Sequence, residues 1–180
     1  PADAGLGLVV QEMALGMGHG ESGSGVIQLV DSQTGQPQII GRYLRQSQGR
    51  EALDRREEAL FLAADPRGPS LEALVPEAFA DLKRMTALMR TRLREEMQAE
   101  FTIENGVVHI LDGVRVARSG QAAVRIAVQL AEDGIIPRDE ALLRVEPRAL
   151  NEMLHRQVDP GARRDVLATG IAASPGAAAG

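Results

Sequence analysis

At 180 residues the chain has the mass of one ordinary domain or one and a half small ones, which excludes a large multidomain machine for this stretch of sequence. Hydrophobic residues at 44% and charged residues at 25% are values of an ordinary globular protein and argue against wholesale disorder, a collagen-like fibre or a disulfide mini-protein. With 20 Lys plus Arg against 25 Asp plus Glu (net charge -5) and 2% aromatics (Tyr43, Phe61, Phe79, Phe101), neither a global attraction to phosphate backbones nor a base-stacking platform exists, so nucleic acid is not an expected partner.

Residues 6–13 (LGLVVQEM) alternate and are β-rich, the glycine-dense stretch to Gly25 reads as a turn, and 26–30 read as a second strand, together a hairpin with a long loop. Turn residues at 31–36 (DSQTGQ) lead to a third extended run at 37–44, completing an antiparallel meander. Residues 46–64 are charged, with apolar Leu53, Leu60 and Phe61, and predict a short helix stopped by Asp65-Pro66-Arg67-Gly68-Pro69. Ser70 is the expected N-cap of a long helix whose apolar positions, from Leu71 through Leu82 and Met89 to Met97, recur at three and four residues. Its opposite face carries Lys83, Arg84, Arg90, Arg92 and Arg94, read as a solvated basic face. EFTIE, Asn105-Gly106 and VVHILD form a hairpin signal, because Asn-Gly supplies the positive φ angles of a type I′ turn. Ser119 then caps an alanine-rich helix through about Glu132, Pro137 opens a short helix to Val145, and Pro147 opens another to about Leu154. The tail from Arg156 reads as linker.

Zero Cys removes disulfides, thiolate nucleophiles and cysteine metal sites and mildly favours a reducing, cytoplasmic setting. Apolar runs such as 59–64 fall far short of the ~20 residues that span a bilayer, so no membrane partner is expected. Gly18-His19-Gly20-Glu21-Ser22-Gly23 matches the G-x-G-x-x-G string of dinucleotide folds, but a strand-like run follows where a helix N-terminus is needed, and the glycines read as loop formers. His19, His109 and His155 are too scattered for a zinc site, and Ser22 and Ser24 lack the strand-to-helix setting of a nucleophilic serine. The second hairpin is more suggestive. It places Glu100, Thr102 and Glu104 on one side of a strand and Asp112 at the end of the returning one, where carboxylates can hold magnesium against nucleotide phosphates.

Several strings, in order, resemble the pyruvate phosphate dikinases: VVQEMALGMGHGESGSGV, TGQ, GRYLRQSQGRE, EFTIENGVVHILDGVRVARSGQAAVRIAVQLAEDGII, EALLRVEPRALNEMLH and GIAASPGAAAG. The resemblance implies an α+β partial ATP-grasp fold. Residues 1–116 would be the C-terminal lobe of the nucleotide-binding domain, 117–155 a helical segment, and 156–180 a linker toward a phosphohistidine domain beyond this chain. It implies ATP and Mg²⁺ as cofactors, phosphoryl transfer onto a histidine and thence to pyruvate, and further domains that bind pyruvate and carry that histidine. By itself the chain is expected to be inert, with no catalytic residue of its own.

The departures from the family pattern fall on polar positions. Where the family has G-E-D, this chain reads Gly49-Arg50-Glu51; where it has D-x-E-F-T-I-E, only the second acid remains, as Glu100. The family's L-Q-T-R-N-G becomes Leu111-Asp112-Gly113-Val114-Arg115-Val116, so Asp112 takes the Gln place and Val114 the Arg place, unless a one-residue slip lets Arg115 serve. The family's T-R-N-P turn likewise becomes Leu29-Val30-Asp31-Ser32. The expected nucleotide-binding residues are therefore Glu51, Glu100, Asp112 and Arg115, with Glu100 and Asp112 toward the metal, in an ATP site that has drifted. The alternative reading is a non-catalytic binding or regulatory module on a dikinase scaffold.

Overall fold

The computed structural model describes residues 7–49, 51–55 and 57–154, together with 163, 165 and 168. They form an α+β protein whose elements run, in chain order, β1 (Gly23–Val30), β2 (Pro37–Arg45), α1 (Glu51–Asp54), β3 (Leu60–Phe61), α2 (Leu71–Leu74), α3 (Pro76–Leu93), β4 (Met97–Glu104), β5 (Val107–Arg115), α4 (Gly120–Glu132), α5 (Arg138–Leu143) and α6 (Pro147–Leu154). The chain divides into two units that interleave in sequence. The first comprises Pro1–Ile27, Gly41–Met85 and Ala99–Gly113; the second comprises Gln28–Ile40, Thr86–Gln98 and Val114–Gly180.

The strands form one five-stranded sheet in the order β3-β2-β1-β4-β5. β2 and β3 pair antiparallel, with Arg42 opposite Phe61 and Tyr43 opposite Leu60. β4 and β5 meet at Asn105-Gly106, whose φ angles of 50° and 85° are those a type I′ turn demands. The Gly106 amide donates to Glu21 O at 2.8 Å and the Asn105 amide to Ser22 Oγ at 2.9 Å, so the end of β4 lies beside the start of β1. β1 is buried almost throughout, as befits a central strand covered on both faces, and accordingly shows no polar alternation. Along β4, Ala99, Phe101 and Ile103 are fully buried on one face. The Phe101 ring stacks on Tyr43 with centroids 6.1 Å apart and planes 11° from parallel. Burying each such large side chain stabilises by about 1.5–3 kcal/mol.

The second unit is built around α4. Its Ala122, Ile126, Ala127 and Leu130 form one buried stripe that packs with Val30, Val116, Ile136 and Ala141. Ser119 caps the helix as expected, its Oγ accepting from the Ala122 amide at 3.1 Å. Pro137 is the N-cap of α5, and Pro147 is the first residue of α6.

Three expectations need correction. Residues 7–13 form no strand, and Leu8, Val9, Val10 and Met13 are exposed, so the first hairpin does not exist; β-rich alternation makes a strand only where a partner strand is present. The helix expected over 46–64 is reduced to the four residues of α1, and Leu60 and Phe61 pair with β2 instead, an apolar edge strand that tertiary pairing wins over local propensity. The long helix from Ser70 is two helices. Ser70 does cap α2, accepting from the Ala73 amide, but Pro76 forces Val75 out of the helical region (φ -141°, ψ 77°) and itself becomes the first residue of α3. At the other end Arg94 adopts φ 57° and stops the helix, so Met97 opens β4 rather than extending the helix.

Candidate functional site

In the first unit the glycine-rich segment is zipped to the loop after β2 and gripped by the β4–β5 turn. Gly16 and Gly18 amides donate to the Gln48 and Gln46 side chains at 2.8 and 3.2 Å, and Gly20 donates to Asn105 Oδ1 at 3.0 Å. The G-x-G-x-x-G string thus runs into strand β1, as its sequence context indicates, and no helix N-terminus follows it. Ser22, Ser24 and Ser47 are buried. Ser47 Oγ donates to Leu44 O at 2.7 Å and therefore accepts from Ser24 Oγ, also at 2.7 Å, which makes these hydroxyls structural pins. His19 is an exposed loop residue and His109 lies half-buried on β5, while His155 and Arg50 fall outside the described residues.

Glu51 begins α1, where its exposed carboxylate accepts from the Gln48 amide at 3.2 Å and lies 3.8 Å from an Arg55 nitrogen. Glu100 is half-buried on the face of β4 opposite Phe101, and the preceding loop comes close to it: a Cβ on Gly49 would lie 3.8 Å from Glu100 Oε1. Asp112 is exposed on β5, with Oδ1 accepting from the Gly113 amide at 2.7 Å, and Val114 is half exposed. A two-residue turn sets Glu104 level with Val107. Counting by twos from that pair, Glu100 is level with Leu111, and Asp112 with Ala99 on the opposite face. Among the described residues no three His, Asp or Glu side chains gather as a metal site.

Arg115 belongs to the second unit, and there its partner is protein. Glu95 Oε2 is 2.8 Å from Arg115 Nε and 3.7 Å from Arg144, while Glu95 Oε1 is 2.9 Å from Arg118. Burial alone would raise the Glu95 pKa; the Arg118 hydrogen bond, the Glu96 amide and the charges of Arg118 and Arg115 together hold it below the usual carboxylate value. Arg115, Arg118, Arg144 and Arg148 line a cavity of about 410 Å³ with Ser119 and Glu146. Sequence reasoning missed Glu95, Arg118, Arg144 and Arg148, because only the fold brings the end of α3 to the start of α4 and α6. The helical basic face is likewise tied down: Arg90 pairs with Glu96 and Asp133, Arg94 with Glu140, Arg84 with Asp81, and Lys83 lies over the Phe79 ring.

No helix among the described residues is long and apolar enough to cross a membrane. No family model matches the chain. Curated relatives do. The chain is 36% identical over 186 residues to a pyruvate, phosphate dikinase of Rhizobium meliloti (strain 1021), a match that covers 100% of this chain and 21% of that protein. It is 32% identical to the pyruvate, phosphate dikinase of Rickettsia typhi (strain ATCC VR-144 / Wilmington), covering 99% of this chain and 20% of that protein. The Clostridium symbiosum enzyme of the same name is also 32% identical, over 100% of this chain and 20% of its own length. The chain is thus a homologue of pyruvate, phosphate dikinases along its whole length and spans about a fifth of the relatives it matches.

Proposed function

We propose that this chain is part of the ATP-grasp nucleotide-binding domain of a dikinase-like phosphotransferase, with an ATP site that has lost most of its charge complement. The observation that carries this reading is the unbroken match to dikinases, combined with an aliphatic Val114 where the family pattern has an arginine. In the parent reaction ATP supplies the phosphoryl group and Mg²⁺ neutralises its developing charge. In this reading Glu100, which the Gly49 loop approaches, and Glu51 are the acids offered to a metal–phosphate group, with Asp112 on the neighbouring strand; Arg115 is paired with Glu95. These residues do not make a complete Mg²⁺–triphosphate cradle. An aliphatic side chain cannot neutralise phosphate charge, and loss of one such contact typically costs at least ~10²-fold in rate. Phosphoryl transfer to histidine and pyruvate also calls for domains beyond the fifth of the relatives that this chain spans.

Calorimetric titration with Mg-ATP tests the proposal. Dissociation weaker than about 1 mM is expected, with no turnover. Micromolar binding abolished by Glu100→Ala would show an intact site and refute the drift. Binding indifferent to Glu100→Ala would place nucleotide elsewhere and remove Glu100 from the reading. The second reading, a regulatory or docking module on the same scaffold, draws on the well-formed α4 to α6 half beside the altered polar positions. A G-G-x-T-S-H-A phosphohistidine motif in the parent sequence would favour the enzyme, and its absence the module.

A further inference from the structure

A second cavity, of about 290 Å³, lies wholly within the second unit, walled by α3, α4 and the turn that joins β1 to β2. Leu29, Val30, Pro37, Ala87 and Ile126 line it with apolar surface, and Arg90, Glu96, Gln129 and Asp133 supply its polar groups. These four form a bonded series. Arg90 Nε donates to Glu96 Oε1, Arg90 Nη2 to Asp133 Oδ2 at 2.7 Å, and Gln129 Nε2 to Asp133 Oδ1 at 2.9 Å. The wall facing α4 is fixed in place by the turn's own bonds, Asp31 Oδ1 accepting from the Gln33 and Thr34 amides at 3.0 and 2.7 Å. Gly35, at φ 69°, seats that turn directly on the helix, since a Cβ there would lie 2.9 Å from Ala122 O.

The cavity falls just under the ~300–1,000 Å³ of sites for drug-sized ligands, so its occupant is a smaller molecule. Two carboxylates against one guanidinium leave the lining with one negative charge in excess. Glu96 carries its share at only 4% side-chain exposure, and the Gln129 hydrogen bond, then Arg90, hold the Asp133 carboxyl below its ordinary value, which keeps it ionised at neutral pH. Each carboxylate oxygen has two lone pairs, so the bonds to Arg90 and Gln129 leave acceptor capacity facing the cavity. A bare divalent ion is a poor match for it, because such ions need a shell of six or more oxygens and the remaining walls are aliphatic. An amphiphilic cation suits both kinds of lining.

We propose that this cavity binds a small organic ammonium ion, a protonated primary amine on a short aliphatic body, whose N–H groups bond the Glu96 and Asp133 carboxylates while its alkyl part lies against Leu29, Ala87 and Ile126. Arg90 keeps its place, and the ammonium offsets the remaining negative charge. The site does not rest on the nucleotide reading above: every lining residue belongs to the second unit, and Glu100 belongs to the first.

The test uses the full chain, ¹⁵N-labelled and titrated with isopentylammonium chloride at matched ionic strength. Binding is expected with a dissociation constant of about 1 mM or tighter and with shifts of the amides of 87–96 and 126–133. Isopentanol, the neutral analogue of the same shape, and ammonium chloride, the charge without the alkyl body, should each bind at least about tenfold more weakly. Asp133→Asn removes the excess charge and should weaken the amine at least about tenfold, Ala87→Phe should abolish binding by filling the cavity, and Glu100→Ala should leave it unchanged. Equal affinity for isopentanol would reduce the site to an apolar hollow, and equal affinity for ammonium chloride to a simple counterion site; either result overturns the proposal. So would shifts confined to other amides, or unaltered affinity in Asp133→Asn. Ala87 and Asp133 are both exposed, so these variants leave the core intact, and should either unfold, the wild-type amide map and the two analogues still decide.

Discussion

Tyr43 shows how a single side chain can set the chain's response to pH. Its ring is fully buried, and its hydroxyl donates to Glu21 Oε1 at 3.0 Å while Arg45 grips the same carboxylate at 2.7 Å. Burial first, then the charge and hydrogen bond of Glu21, push the phenol above its ordinary value of about 10. Because the folded pKa is raised, the unfolded chain loses this proton first; the stabilisation is complete below pH ~10 and is lost as pH climbs above it. Urea denaturation between pH 9 and 11 should show stability falling by up to about 1.4 kcal/mol per pH unit above pH ~10, a slope that Tyr43→Phe removes. A slope that persists in Tyr43→Phe would assign the effect to another group.

Among the elements, those that announced themselves carry local chemistry that leaves one conformation. The Asn105-Gly106 turn and the Ser119, Pro137 and Pro147 helix starts were legible because left-handed φ, a capping oxygen or a fixed pyrrolidine acts within a few residues. The strand expected at 6–13 and the helix expected over 46–64 failed because alternation and charge density say nothing about which partner is available. Much the same holds for the candidate site. Glu51, Glu100 and Asp112 could be picked out as carboxylates, but their faces and partners depend on hairpin register, and Glu95 meets its arginines only through tertiary structure. The Ser119 cap is the sharpest case for measurement, since its amide donates to Ser32 O at 2.9 Å while its hydroxyl donates to Gln33 O. Ser119→Ala should destabilise the chain by about 1–2 kcal/mol in chemical denaturation, and Ser119→Asp should recover the cap but not the Gln33 bond. Equal losses for both variants would make Gln33, rather than the cap, the important partner.

At the scale of the whole molecule, the exposed apolar run at 8–10 is the main colloidal hazard. Leu8, Val9 and Val10 are each more than four-fifths exposed, a β-rich sequence with unsatisfied apolar surface. Light scattering should show concentration-dependent self-association that the pair Val9→Lys and Val10→Lys suppresses, with the denaturation midpoint moved by less than about 0.5 kcal/mol. Unchanged scattering, or a large loss of stability, would mean that these side chains are buried in solution.

The stacked pair of Tyr43 and Phe101 has one more consequence. The chain contains a single tyrosine and no tryptophan, so ultraviolet emission excited at the phenol originates from one point in the first unit. Helices α4, α5 and α6 all belong to the second unit and supply much of the far-ultraviolet dichroism. Tyrosine emission therefore follows the first unit alone while far-ultraviolet dichroism follows both, and superposing the two melting curves reveals whether the units unfold as one cooperative body or in turn.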